Sequence, residues 1–372
     1  METYAVYFRP RGSLASSLSS DTLFGAVCWG IQVLDLKADV GAWLESHLTP
    51  PFAFSATFPV WFHGPESNMR FYPRPANFEP SPAIVQSLAD SLSKQRGENL
   101  KSVKLLIVDK TKLLRGVSYI SEEVFTKIVL GSLSPGEVLR DLVTKQAGFD
   151  IFNGILLSSS EKVRLVKAGF SATSRLLGEV QVQRNHIDRV AGATVEGLLF
   201  YENETRFAPG IGLWALLRTS ADDLAALIQP ALRYLADTGF GANRIVGKGH
   251  FDISITPMPA LPEAQKPNAV ILLSRYLPDN AEMDFSKPLF LAYKLTTLRP
   301  KREQKFPKAF AGQATQPVYK EAVRMFEPGA MFPLQHRREV YGRLALVLTA
   351  EAGGPVYQSG AALPVFMFVQ EE

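Results

Sequence analysis

The chain has 372 residues, of which 46% are hydrophobic, enough for one large core or two ordinary ones. With 40 basic and 36 acidic residues its formal net charge is +4, so any nucleic-acid surface has to be local rather than a property of the whole molecule. The lone cysteine, Cys28, excludes an intramolecular disulfide or cysteine-rich metal site, and the lack of a signal core or long apolar run predicts a cytoplasmic protein.

TYAVYFRP opens the chain as a short strand. SSDTLFGAVCWGIQVLDL follows as a helix whose apolar residues Leu23, Phe24, Ala26, Val27, Cys28, Ile31 and Leu34 cover most of its circumference, the pattern of a buried helix. Ser20 or Asp21 is placed to cap its first turn. Gly25 in that turn costs about 1 kcal/mol against alanine, which predicts a close approach at the helix N-terminus. PPFAFSATFPVWF and RFYPRP are extended and punctuated by proline. Residues from about 80 to 183 are polar, helical and rich in lysine, and read as an insertion rather than core. TVEGLLFYENETRF reads as a hairpin-like pair of strands around Glu202-Asn203.

GLWALLR then leads into SADDLAALIQPALRYLAD, with Leu224, Leu227, Ile228, Ala231, Leu232 and Leu235 at helical spacing. Ser220 and Asp223 form its capping box, and Pro230 predicts a kink. TGFGANRIVGKGHFDI comes next and nearly spells a nucleotide-binding loop. It is not one, because Gly249 stands where the magnesium-holding hydroxyl belongs and the order is helix, loop, strand. Glycines 239, 241, 247 and 249 allow positive φ, successive free N–H groups can cradle an anion, and Arg244 and Lys248 add charge. The other reading of the loop is a helix cap followed by a plain connection.

TPMPALPEAQKPN, residues 256–268, has four prolines and reads as a linker. Beyond it lie the strand-like AVILLSRYL, PLFLAYKLTTLRP, YGRLALVLTA and ALPVFMFV. The run RPKREQKFPKAF (299–310) holds five cations and one acid with Phe306 and Phe310 interleaved, a composition that suits single-stranded RNA as well as a solvated surface. The expected class is α+β with two units. Residues 1–257 approximate the β-α-β-β-α-β order of a ferredoxin-like fold, with the insertion at about 80–183, and 268–372 form a second, strand-rich unit.

SDTLFGAVCWGI (20–31), RNHIDRVAG (184–192), GFGANRIVGKGHFDI (239–253) and the late YGR and VYQSG (341–343 and 356–360) together resemble the RAMP superfamily of CRISPR proteins. Within it the chain is most similar to the fourth subunit of the type III-A (Csm) effector complex. Ala242 and Ile245 stand where relatives often carry Gly and Ser. The resemblance implies two ferredoxin-like, RRM-like units and a non-catalytic RNA-binding subunit. Such a subunit holds the 5′ repeat tag of CRISPR RNA, meets target RNA, and bridges to the large polymerase-Palm subunit and to the backbone RAMP subunit. No cofactor and no metal are implied.

The implied RNA-binding residues are Gly239, Gly241, Asn243, Arg244, Gly247, Lys248 and Gly249 of the loop, with Ser20 and Thr22 of the helix facing it. Asp21 beside RNA would repel phosphate, which predicts that it serves as a helix cap. Arg184, His186 and Arg189, and Lys301 and Arg302 of the basic run, complete the set. Arg184 to Arg189 can equally be a solvated turn. The resemblance also implies a protruding hairpin that wedges into the guide–target duplex, with residues 113–120 and 148–157 as candidates; Asn153-Gly154 is a hairpin-turn signal. Two other functions fit the residues: a CRISPR-RNA-processing endoribonuclease using His186 or His250, and an assembly scaffold whose loop packs on protein.

Overall fold

β1 (Glu2–Pro10) is covered on both faces: Tyr4, Val6 and Phe8 enter one core cluster, Ala5 and Tyr7 another, the period of two expected of a strand. The structure is a computed structural model. It describes all residues except 48, 65–67, 172–174, 189, 191–192, 259, 280–281, 284–290, 300–319, 351–353 and 371–372. After β1 come α1 (Ser20–Val33), α2 (Val40–Glu45), β2 (Phe52–Phe54), β3 (Phe58–Phe62) and β4 (Asn68–Pro73). The middle of the chain holds α3 (Pro82–Arg96), α4 (Leu100–Arg115), β5 (Tyr119–Ser121), α5 (Glu122–Val129), α6 (Pro135–Thr144), β6 (Phe149–Phe152), β7 (Ile155–Ser158) and α7 (Ser159–Lys167). A long two-stranded ribbon follows, β8 (Leu177–Asp188) with β9 (Ala193–Phe207), and then β10 (Ile211–Thr219). α8 (Ala221–Asp223) and α9 (Gln229–Thr238), joined through a π-helical turn at Leu224–Ile228, lead to β11 (Phe251–Pro257).

The main sheet runs β11-β1-β10-β3-β4-β5-β7-β6, with β2 also on β10. Its first four strands are all antiparallel, in the order and sense of a ferredoxin-like sheet. α1 and α9 cross on one face, where Gly30 lets Ala231 approach so closely that a Cβ would lie 2.9 Å from the alanine methyl. Leu23, Phe24, Val27 and Ile31 of α1 and Leu232 and Leu235 of α9 share that core with Leu213, Ala215 and Leu217 of β10. Ser220 caps α8 by accepting from the Asp223 N–H at 3.1 Å. The π-helical turn takes up Pro230, which lacks an N–H and crowds the preceding turn.

Three features depart from the sequence-based expectations. Residues 80–183 are helical but not peripheral. Their strands β5, β7 and β6 prolong the main sheet, and Leu114, Ile120, Phe125 and Leu156 are fully buried in its core. TVEGLLFYENETRF is one strand rather than two; Glu202 and Asn203 pair with Val182 and Gln181 in the middle of the ribbon. Neither wedge candidate protrudes. Leu114 and Ile120 of the first are buried, and the second forms the predicted hairpin, β6–β7, with all four residues of β7 buried. The element extending from the sheet is the β8–β9 ribbon, whose 15-residue strand spans roughly 50 Å.

The C-terminal part is strand-rich, as expected. β12 (Ala269–Leu272), β15 (Met331–Pro333) and β18 (Pro364–Met367) form an antiparallel sheet, and β13 (Leu295–Leu298) pairs with β14 (Val323–Phe326) and β16 (Leu344–Ala350) with β17 (Gly354–Ser359). Ile271, Leu273, Met331 and Val365 share one core cluster with Ala5, Trp214 and Leu216, so β12, β15 and β18 cover the sheet face opposite α1. The linker is held down as well, by the Ala264 N–H donating to Phe366 O at 3.1 Å.

Candidate nucleic-acid interface

The glycine loop joins α9 to β11. Gly239 (φ 83°), Gly241 (72°), Gly247 (84°) and Gly249 (70°) all have positive φ, as the sequence predicts. A fifth such position falls on Asn243 (62°), a residue type that tolerates this conformation better than alanine, and not on its neighbour Ala242. A Cβ at Gly249 would lie 2.0 Å from Phe240 O, so that glycine is required by packing, whereas Gly247 faces open space. Arg244–Val246, between Asn243 and Gly247, form one 3₁₀ turn. His250 is half-buried; its Nε2 lies 3.2 Å from Arg244 O and donates to it, pinning the turn.

A cleft of about 210 Å³ separates this loop from the start of α1. Thr22, Gly25 and Trp29 form one wall and Phe240, Gly241 and Arg244 the other. The predicted juxtaposition of helix N-terminus and glycine loop therefore exists, but Gly25 serves it differently. Among the described residues outside its own helical turn, no atom lies within 4 Å of where its Cβ would be, so the small residue keeps the cleft open instead of packing against protein. A hydroxyl, an indole, a guanidinium and unobstructed backbone meet here. Those groups can hold a phosphate and stack a base.

The remaining predicted residues divide. Asp21 is not a helix cap: the N-cap of α1 is Ser19, whose side chain makes no capping bond to the helix backbone, and Asp21 takes Arg275 Nη1 at 2.9 Å. Ser20 is buried and accepts from the Arg275 N–H at 2.9 Å, so it fastens the C-terminal strands and does not line the cleft. Asp21 turns toward Arg275 because a largely buried guanidinium needs an anion more than an already extended helix start needs a cap, while Ser20 satisfies the backbone N–H of the same residue.

Lys248 points away from the cleft. Its Nζ donates to Glu204 Oε2 and to Ser13 Oγ, both at 2.8 Å. Arg184 Nη2 reaches the other oxygen of Glu204 at 3.0 Å. Glu204 is 2% exposed, and its hydrogen bond from Lys248, against the opposing effect of burial, holds its carboxyl below the usual range. Glu202 joins the cluster, accepting from Asn243 Nδ2 at 2.9 Å and lying 3.4 Å from Arg184 Nε. Lys248 and Arg184, read in the sequence as phosphate ligands, are thus already paired within the chain. His186 sits on β8, while its side chain and Arg189, Lys301 and Arg302 lie outside the described residues.

Sequence reasoning missed Trp29, Ser13 and the pair Glu202 and Glu204. The two glutamates share one strand face opposite Arg184, a period-two pattern that was there to find once 193–207 is taken as a single strand. Among the described residues no group of His, Cys, Asp and Glu is arranged to hold a metal, and no helix is long and apolar enough to cross a membrane.

No family model and no curated protein matches the chain. Solved structures do. Over the whole of both chains it is similar to one from a crystal structure of the Csm1-Csm4 cassette in complex with cA4, at TM-score 0.55 and 15% identity. It is likewise similar over both full lengths to one from a Csm3-Csm4 subcomplex in the type III-A CRISPR-Cas interference complex, at TM-score 0.60 and 12% identity. At such identities the likeness is one of fold. The chain thus has the α+β fold of the RAMP class. More narrowly, the fold is that of Csm4.

Proposed function

We propose that this chain is a non-catalytic RNA-binding subunit of a type III CRISPR-Cas interference complex, and that the cleft between α1 and the glycine loop holds the 5′ tag of CRISPR RNA. The observation that carries this is the cleft itself, with Arg244, Thr22 and Trp29 converging on a space kept open by Gly25. Chains with this fold occur in a Csm1-Csm4 cassette and a Csm3-Csm4 subcomplex, which supports a Csm1 subunit and a Csm3 subunit as the partners of this chain. The duplex-wedging part passes to the β8–β9 ribbon, where Ile187, Leu199, Phe200 and Tyr201 are between 47% and 57% exposed. Against the nuclease alternative stands His250, whose Nε2 is occupied by a backbone carbonyl.

Photo-crosslinking tests the assignment. Tag RNA carrying thiouridine, bound to the full chain, should crosslink to peptides containing Thr22–Trp29 and Phe240–Arg244 and should remain uncut with or without Mg²⁺. Crosslinks confined to other peptides would remove the cleft. Site-specific cleavage lost in His250→Ala would establish the nuclease.

A further inference from the structure

A second cleft lies on the other side of the glycine loop, above the end of β1 and the base of the ribbon. It has a volume of about 500 Å³, and four cations, Arg9, Arg11, Arg206 and Lys248, line it. The one carboxylate among its lining residues is Glu204, already matched by Lys248 at 2.8 Å and Arg184 at 3.0 Å. Arg11 is held by Asp252, with Nε 2.8 Å from Oδ1. Arg9 and Arg206 are exposed, and neither forms an ion pair among the described residues. The cleft therefore carries uncompensated positive charge, although the chain as a whole is nearly balanced.

Its construction points to a planar, anionic ligand. The Arg9 guanidinium lies 4.3 Å from the centroid of the Phe62 ring. Phe62 can sit there because position 212 is glycine; a Cβ would lie 2.5 Å from the ring edge. A guanidinium stacked in this way keeps its in-plane donors for phosphate and offers its outer face to a base. Gly12 and Gly210 leave backbone bare in the lining. Gly12 also adjoins the loop, its missing side chain making room for Gly247 O at 3.1 Å, so the two clefts are separated only by the loop.

We propose that this cleft is a second site for single-stranded RNA, taking phosphates on Arg9 and Arg206 and a base on the Arg9–Phe62 stack. The strand reaches it from the first cleft by crossing the exposed loop at Gly247. The inference rests on RNA occupying the first cleft, and the two are tested apart by variants confined to each.

The test is filter binding of the full chain to single-stranded RNAs of about 4 to about 16 nucleotides, the span of ordinary single-strand sites. Arg9→Ala with Arg206→Ala should leave the shortest RNA bound as in the parent. It should weaken the longest and flatten its log–log salt slope by about 1.4, or about 0.7 for each lost contact. Arg244→Ala should weaken both. Unchanged affinity and slope for long RNA in the double variant, with Arg244→Ala still defective, would overturn the second cleft and leave the first. Parental binding in every variant would remove both. If the double variant bound RNA normally but no longer captured the large subunit, the cleft would be a protein contact and the proposal wrong.

Discussion

Two of the molecule's β-hairpins, β6–β7 and β8–β9, both carry apolar residues and differ in fate. β6–β7 turns at Asn153 (φ 55°) and Gly154 (75°), continues the main sheet through β5, and buries every residue of β7. Among the described residues β8 and β9 form a sheet only with each other, and they expose Leu199, Phe200 and Tyr201 by about half. A two-stranded ribbon is marginal in water without support. This one is fastened at its base by the Leu14–Thr205 bridge and by the ion pairs of Glu204. The turn signal and apolar residues of 148–157 therefore marked a hairpin but not its role. Apolar side chains beside a growing sheet are drawn into it, and the same side chains on a ribbon without neighbours stay available to a ligand.

Substitutions sharpen the contrast. The largest effect is expected at Leu156→Ala in the buried hairpin, which should lower unfolding free energy by about 2–5 kcal/mol in a urea titration. A loss below ~1 kcal/mol would mean that the hairpin is looser than its burial implies. Glu204→Gln comes next, costing about 1.5–3 kcal/mol at neutral pH through its charged hydrogen bonds. Because the folded carboxyl is held below its ordinary value, its contribution is full above that value, about pH 4.3, and is lost as pH falls through the folded pKa. Parent and variant melting temperatures should therefore converge on acidification; a constant gap would contradict the ion pairs. The smallest effect is expected from Phe200→Ala with Tyr201→Ala on the ribbon, within about 0.5 kcal/mol per site. If that pair melts early, the ribbon packs on the body of the protein.

What could be read from the sequence was local. Four glycines and their positive φ, the Ser220 cap, and the helix–loop–strand order that rules out a nucleotide-binding loop all follow from neighbouring residues. So does the alternation of helices and strands along the first unit, since each element declares its type by periodicity. What was missed depends on distant partners. Lys248 finds Glu204 44 residues away, and Asp21 finds Arg275 across 254. A lone lysine in a glycine loop and a lone aspartate at a helix start carry no mark of either pairing. The insertion misled for a related reason. Its lysines and polar helices suggested a peripheral piece, while the short strands that join the sheet are only three or four residues long.

The central claim is that RNA phosphate lies in the cleft beside Arg244. It is tested most directly by filter binding of tag RNA to the parent and to Arg244→Ala across a salt series, because the arginine lines the cleft without anchoring the core. The account predicts weaker binding and a log–log slope flatter by about 0.7, one single-strand phosphate contact. Equal affinity and equal slope in the two proteins would contradict it.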